Sequence, residues 1–207
     1  MDIFRTVSAL KAALKGRQVA FVPTMGALHE GHLDLVRAAK GGEQGVSVVC
    51  SIFVNPTQFG DAADLAKYPR TEESDCEKLA SVGCDAVFLP SVEEIYPADW
   101  QTPPFDFGYL DTVMEGALRK GHFSGVGQVV HRLLSIVEPQ SLYLGQKDFQ
   151  QVAVIKDMVY RQLGWEHLRI NVVPTVREID GLAMSSRNVR LSAEGRKQAA
   201  EISQALF

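Results

Sequence analysis

His29 and His32 stand three residues apart in the run PTMGALHEGHL, which begins at Pro23. An apolar, β-rich run precedes them, and Leu33 and Val36 follow at helical spacing, so the pair opens a helix just after a strand. Imidazoles at i and i+3 are neighbours on a helical surface. At a helix start they stand beside backbone N–H groups without intrahelical partners and the positive end of the dipole, a setting that favours phosphate. Gly31 leaves room for a flat base or ribose to approach the backbone. The chemistry suits adenylyl transfer: a carboxylate attacking the α-phosphate of ATP builds negative charge on the phosphate and on departing pyrophosphate, and fixed donors stabilise it. Histidines that only cap or pack are an alternative. So is a zinc pair, although HEGH lacks the i, i+4 spacing of HExxH.

Three further clusters follow strand-like runs. In the segment Asn55-Pro56-Thr57-Gln58-Phe59-Gly60, proline stops the ladder. Asn55 and Gln58 there offer uncharged donors and acceptors suited to a substrate with hydroxyls and a carboxylate; a plain turn is the competing reading. Gly145-Gln146-Lys147-Asp148-Phe149-Gln150-Gln151 begins a helix. There Gly145 permits close approach, Lys147 supplies charge for phosphates, Asp148 can accept ribose hydroxyls, and Gln151 shares a helical face with Lys147. Met184-Ser185-Ser186-Arg187-Asn188 makes a clamp for pyrophosphate, with hydroxyl donors and a guanidinium that bridges two oxygens. Arg119 and His122, in a cationic loop, either attract phosphates or make structural hydrogen bonds. Thr71 reads as a helix cap, with Asp75 in a solvated first turn or near magnesium.

The elements that must position these groups alternate. Residues 18–22, 46–54, 86–89, 141–144 and 168–173 read as strands, mostly continuous apolar runs expected of strands covered on both faces. Helical patterns lie between them, one from about Gly125 to Pro139 and another from Val152 to Gly164. Residues 1–16 read as a short amphipathic helix and 192–207 as a last helix. This alternation predicts an α/β fold, an open parallel Rossmann-like sheet with helices on both faces, whose ligands bind at the carboxyl ends of the strands. A chain of 207 residues with 46% apolar content fits one large domain with a substantial core. The net charge of -4 gives no bulk attraction to nucleic acid or anionic membrane. No apolar run approaches membrane-spanning length. Three cysteines, odd in number and without ligand spacing, point to reduced thiols in a cytoplasmic protein.

HEGH resembles the HxGH signature of the nucleotidyltransferase superfamily, which by itself does not choose among members. The ordered strings PTMGALHEGHL, NPTQF, YPRT, RKGHF, GQKDFQQ and MSSRN resemble the pantothenate synthetase family, from Phe21 to about Gly195. Lys120 stands where the family's RPGHF has proline.

The resemblance implies ATP-dependent condensation of (R)-pantoate with beta-alanine through a pantoyl adenylate, assisted by Mg2+ with unassigned ligands, on the route to coenzyme A. It implies ATP contacts from Met25, Gly26, Ala27, Leu28, His29, Glu30, Gly31 and His32, and from Gly145, Gln146, Lys147 and Asp148. Val176 would reach adenine through its backbone, and Met184, Ser185, Ser186 and Arg187 would complete the ATP set. It assigns pantoate to Gln58 and Gln151 and beta-alanine to Gln58. His32 would be the proton donor, with His29, Lys147 and Arg187 also catalytic. It implies a homodimer too, and a smaller C-terminal lid domain that this chain, reaching Phe207, lacks. Residues 1–190 are then the nucleotide- and pantoate-binding domain and 191–207 a helix leading toward the lid. Transfer of AMP to a phosphorylated acceptor, or a nucleotide-binding domain that is catalytically incomplete, are the alternatives.

Overall fold

Residues 19–22 of the strand Val-Ala-Phe-Val-Pro-Thr are all buried, because the strand is covered on both faces. Val19 and Phe21 enter one apolar cluster and Ala20 and Val22 the other, as the two-residue period of a strand requires. The computed structural model describes residues 1–42 and 44–206. Among them, six strands form one parallel sheet: β1 (Asp2–Phe4), β2 (Val19–Thr24), β3 (Ser47–Ile52), β4 (Ala86–Phe88), β5 (Ser141–Gly145) and β6 (Arg169–Val173). Their order is β1-β4-β3-β2-β5-β6.

The described helices are α1 (Val7–Leu14), α2 (Glu30–Gly42), α3 (Ala62–Ala66), α4 (Glu72–Ser81), α5 (Val92–Ile95), α6 (Met114–Leu118), α7 (His122–Val137), α8 (Phe149–Lys156) and α9 (Ala193–Leu206). Leu10, the apolar face of α7 and Ile155 of α8 cover one side of the sheet. Leu33 and Val36 of α2 and Leu79 of α4 cover the other.

The chain runs β2, β3, β4 in one direction across the sheet and β5, β6 in the other, so strand order reverses between β2 and β5. These two strands pair only at Ala20–Ser141 and Phe21–Leu142. Beyond that point β2 continues to Thr24 and β5 to Gly145 without pairing to each other, which opens a crevice at their carboxyl ends.

Four local expectations change. Residues 2–4 are an edge strand paired with β4, not the start of a helix; Thr6 caps α1 by accepting from the Ala9 amide at 3.3 Å. With Ile3 half exposed, so short an edge strand carries no readable alternation. Helix α7 begins at His122, so His122 and Phe123 are buried helical residues rather than loop; Gly121 supplies the left-handed φ of 76° that turns the chain into it. The helix after β5 changes to π geometry over Asp157–Gln162. That turn sends Gln162 to the backbone of Asp106 at 3.0 Å and fastens the segment 96–109, which carries Pro97, Pro103 and Pro104, there. Asp75 is fully buried, not a solvated helix start. The last helix spans Ala193–Leu206, and Phe207 lies outside the described residues.

Candidate functional site

Thr24 ends β2, and Gly26 and Ala27, with φ of 83° and 51°, reverse the chain toward α2. The amides of this turn are largely engaged inside the chain. Gly26 N–H donates to Thr24 Oγ1 at 3.3 Å, Ala27 N–H to Asp75 Oδ2 at 2.8 Å and Leu28 N–H to Asp75 Oδ1 at 2.7 Å. Lys78, one turn further along α4, donates to the Leu28 carbonyl at 2.8 Å. Helix α4 therefore clamps both polarities of the turn. The amides of Glu30 and Gly31, in the first turn of α2, are among the backbone donors this bonding leaves for an anion.

The two imidazoles lie against each other, with ring centroids 4.0 Å apart. His29 N–H donates to His32 Nδ1 at 3.3 Å, so Nδ1 is an acceptor and the neutral ring carries its proton on Nε2. Burial first, then His29, Lys147 and Lys78, push His32 down to about 3. Burial and Lys147 lower His29 as well. The Nδ1 atom of His29 is buried and has no hydrogen-bond partner.

Asn55 is fully buried at the head of the turn 56–58 and acts as its hub. Its Nδ2 donates to Gln58 Oε1 at 3.1 Å and to the Gly125 carbonyl at 3.2 Å, while Oδ1 accepts from Tyr96 at 2.9 Å. The Gln58 side chain is thereby held with its Nε2 facing Met25 Sδ at 3.2 Å. His122 Nδ1 bonds the Gln58 carbonyl at 2.9 Å. His122 thus makes a structural hydrogen bond and also lines the cavity. Arg119 lines it too, beside Glu115 at 3.4 Å, while Lys120 is exposed.

After β5, a single 3-10 turn of Gln146–Asp148 presents Lys147 and Asp148, their charged groups 3.6 Å apart. Gln151 turns toward the crevice, whereas its neighbour Gln150 turns inward to bond the Glu115 amide at 3.0 Å and the Leu110 carbonyl at 2.7 Å. A hairpin, Val176 to Met184, returns the chain beside α2: Met184 N–H donates to the Val176 carbonyl at 3.0 Å. Ser186 then donates to the Ala27 carbonyl at 3.0 Å, and Arg187 lies over the Tyr68 ring, 5.6 Å from its centroid.

Three connected spaces result. The main cavity, about 540 Å³, is lined by His29, Gln58, Lys147, Ser185, Ser186 and Arg187 among others. A slot of about 110 Å³ lies between Gly31, Gly145, Val176 and Met184. A third space, about 140 Å³, is walled by Val129, Val130, Leu133 and Ile155 with Gln58 and Gln151 at its polar side. His32, Asp148 and Gln151 line all three.

Some sequence-selected residues lie elsewhere. Gly26 lines a separate cavity with Arg5 and Arg70, Leu28 is buried, Glu30 pairs with Arg37 at 2.8 Å on the surface, and Gln146 is exposed. Asp64 and Tyr68, which hold the Arg187 side chain, and Asp75, which holds the turn, were not selected as site residues. Asp64 sits in an ordinary short helix with no local signal. For Asp75 the i, i+4 relation to Thr71, whose hydroxyl donates to it at 3.1 Å, was the available clue.

The family model described as pantoate-beta-alanine ligase matches residues 2–207. The chain belongs to the pantoate–beta-alanine ligase family. It is 54% identical to the pantothenate synthetase of Phocaeicola vulgatus over 212 aligned positions, covering all of this chain and 74% of that protein. The crystal structure of pantothenate synthetase from Thermus thermophilus superposes with a TM-score of 0.93 at 50% identity, covering 100% of this chain and 73% of that one. The Francisella tularensis pantoate-beta-alanine ligase, described as complexed with beta-gamma ATP and beta-alanine, gives a TM-score of 0.90 at 39% identity, with coverages of 100% and 79%. The family is one of ATP-dependent acid–amine ligases, and its parallel α/β sheet is the one described above.

Proposed function

We propose that the chain condenses pantoate with beta-alanine at the meeting point of the three spaces, using ATP. The observation that carries this reading is that His32 borders all three, so a nucleotide and an acid occupying separate spaces meet beside one imidazole. Adenine enters the slot bordered by Gly31, Gly145, Val176 and Met184, and the phosphates extend past His29 toward Lys147, Ser185, Ser186 and Arg187. Pantoate takes the third space, its methyl groups against Val129, Val130 and Leu133 and its hydroxyls and carboxylate near Gln58 and Gln151. Beta-alanine follows through the main cavity, with Gln58 in reach.

One pantoate carboxylate oxygen attacks the α-phosphorus; the bond from that phosphorus to the bridging oxygen breaks and pyrophosphate leaves. The neutral amine of beta-alanine then attacks the acyl carbon, the acyl–oxygen bond breaks, AMP leaves, and the nitrogen loses a proton. The chain's task is placement and charge stabilisation. With its Nε2–H tautomer and a pKa of about 3, His32 serves as a neutral hydrogen-bond donor to the α-phosphate rather than as an imidazolium acid near pH 7. Lys147 offers a compact charge to the phosphates, and Ser186 and Arg187 meet the leaving group.

Magnesium chemistry fits through the nucleotide. Among the described residues no group of three or more His, Cys, Asp or Glu could hold a metal, and Asp75 has both oxygens engaged. The ion would arrive on ATP phosphates, with Asp148 one of the carboxylates lining the main cavity that could meet it, and it would neutralise charge on the pyrophosphate.

Residues 1–190 act in this reading as the nucleotide- and pantoate-binding unit, and 191–207 as the segment that follows it, with Arg196 bonded back to Asp180 at 3.0 Å. ATP as substrate and three free cysteines favour a reducing, cytoplasmic setting, and family membership favours a homodimer. No described helix is long and apolar enough to cross a membrane. Exchange of labelled pyrophosphate into ATP tests the assignment. It should require pantoate; exchange driven only by a phosphate ester would overturn the reading.

A further inference from the structure

Asp64 projects from α3 into the wall of the main cavity, where its carboxylate is shared between two arginines. Arg187 reaches Oδ2 at 3.1 Å and Arg190 reaches Oδ1 at 3.0 Å. Arg190 has a second anchor, the Lys67 carbonyl at 2.6 Å. Among the described residues Arg187 bonds no second carboxylate; beyond Asp64 it has the face of Tyr68. The two guanidiniums are thus unequal. One is fixed at both ends, and the other is held by a single carboxylate on the border of the space assigned above to phosphates.

We propose that Asp64 is a positioning residue that parks Arg187 on the cavity wall and releases it to the pyrophosphate group while keeping Arg190 as its own counter-ion. The inference rests on the reading of Arg187 as a phosphate-holding residue. The Asp64 side chain is about a third exposed, so the loss of one partner costs it little. Arg190 stays on Oδ1, so the departure of Arg187 leaves the carboxylate with a counter-ion. Phosphate then competes with a carboxylate for one fork of donors and wins by its greater charge. When pyrophosphate leaves, Asp64 takes Arg187 back, which lowers the barrier to product release.

Titration calorimetry of the 207-residue chain with inorganic pyrophosphate in magnesium chloride tests this. Asp64→Asn removes the competitor, and pyrophosphate should bind about threefold more tightly, the ratio an exposed ion pair of ordinary strength supports. Asp61→Asn makes the same change in net charge three residues away and keeps a capping side chain; its affinity should match the parent's. Arg190→Ala leaves Asp64 to Arg187 alone and should weaken binding by about the same factor. Arg190→Ala also carries the test if Asp64→Asn does not fold. Equal or weaker binding by Asp64→Asn, an equal gain in Asp61→Asn, or unchanged binding by Arg190→Ala would overturn the exchange. Arg187→Ala separates the two levels: unchanged pyrophosphate affinity there would remove Arg187 from the phosphate site altogether. Weakened affinity there, with no gain in Asp64→Asn, would remove only the role of Asp64.

Discussion

The amide of His29 donates to Nδ1 of His32 at 3.3 Å, fixing by one hydrogen bond which nitrogen of the second ring faces the ligand space. Because His32 sits at about 3 in the folded chain against 6.5 when unperturbed, its ionisation should be absent from the pH profile of adenylation near neutrality. The sign for stability follows from proton counts. Between those two values the unfolded chain binds the proton and the folded chain does not, so stability rises with pH through the window and is lost as pH falls from about 6.5 toward 3. Urea denaturation from pH 7 to pH 4 should show this loss, and His32→Gln should make it shallower. His32→Ala should lower pantoyl-adenylate formation about 100-fold, the scale of losing a fixed donor to developing charge. Parent rates in that variant would refute the role.

Asp75 accepts from two consecutive amides, Ala27 and Leu28, at 2.8 and 2.7 Å. Asp75→Asn turns one acceptor into a donor facing an N–H, and it should cost about 1–3 kcal/mol in chemical denaturation. Since the turn carries Met25 and His29, kcat should fall about tenfold or more, as misplacement of reacting groups does. The magnesium concentration for half-maximal rate should stay where it is. A large rise in that concentration would show that Asp75 ligates the ion instead.

The sheet and the clusters at its carboxyl edge were legible because strands buried on both faces leave continuous apolar runs, and the polar strings that follow such strands must fall on one rim. The edge strand at residues 2–4 was not, since three residues with one face open show no period. Nor was the π turn at 157–162, where one extra residue per turn shifts the helical face without a change in composition. At the site, motif strings marked groups that point into the crevice, such as Lys147 and Gln151. They did not mark the amide bonds that Asp75 uses up, because a burial that depends on a turn nearly fifty residues away leaves no local trace.

Gly125 of α7 packs directly on the turn that carries Gln58. A Cβ there would lie 2.4 Å from the Thr57 carbonyl oxygen and 2.8 Å from the Gln58 Cα, both backbone atoms that cannot swing aside. Gly125→Ala should therefore displace the 56–58 turn, break the bond from Asn55 to the Gly125 carbonyl, and cost about 1–3 kcal/mol as other overpacked sites do. The kinetic signature should be a raised KM for pantoate with a smaller change in KM for ATP. Equal changes in both would mean that the turn does not meet the acid.

Gln150 and Gln151 are adjacent, identical in type, and placed by one helix on different sides. Gln150 is 7% exposed and ties three backbone groups of the 110–115 segment together. Gln151 lines the three spaces around His32. Truncating each to alanine should separate stability from binding. Gln150→Ala should lose about 1–3 kcal/mol of folding stability, the cost of leaving buried backbone groups unpaired. Gln151→Ala should melt within a degree or two of the parent, yet raise KM for pantoate about tenfold, the strength of one hydrogen bond to a charged group. A helix repeats its direction every 3.6 residues, so neighbours differ by about 100° and no repacking short of unwinding α8 can exchange them. The two variants therefore cannot compensate for one another. If Gln151→Ala leaves pantoate saturation unchanged, the acid does not occupy the space walled by Val129, Val130 and Leu133, and the placement of both substrates around His32 falls with it.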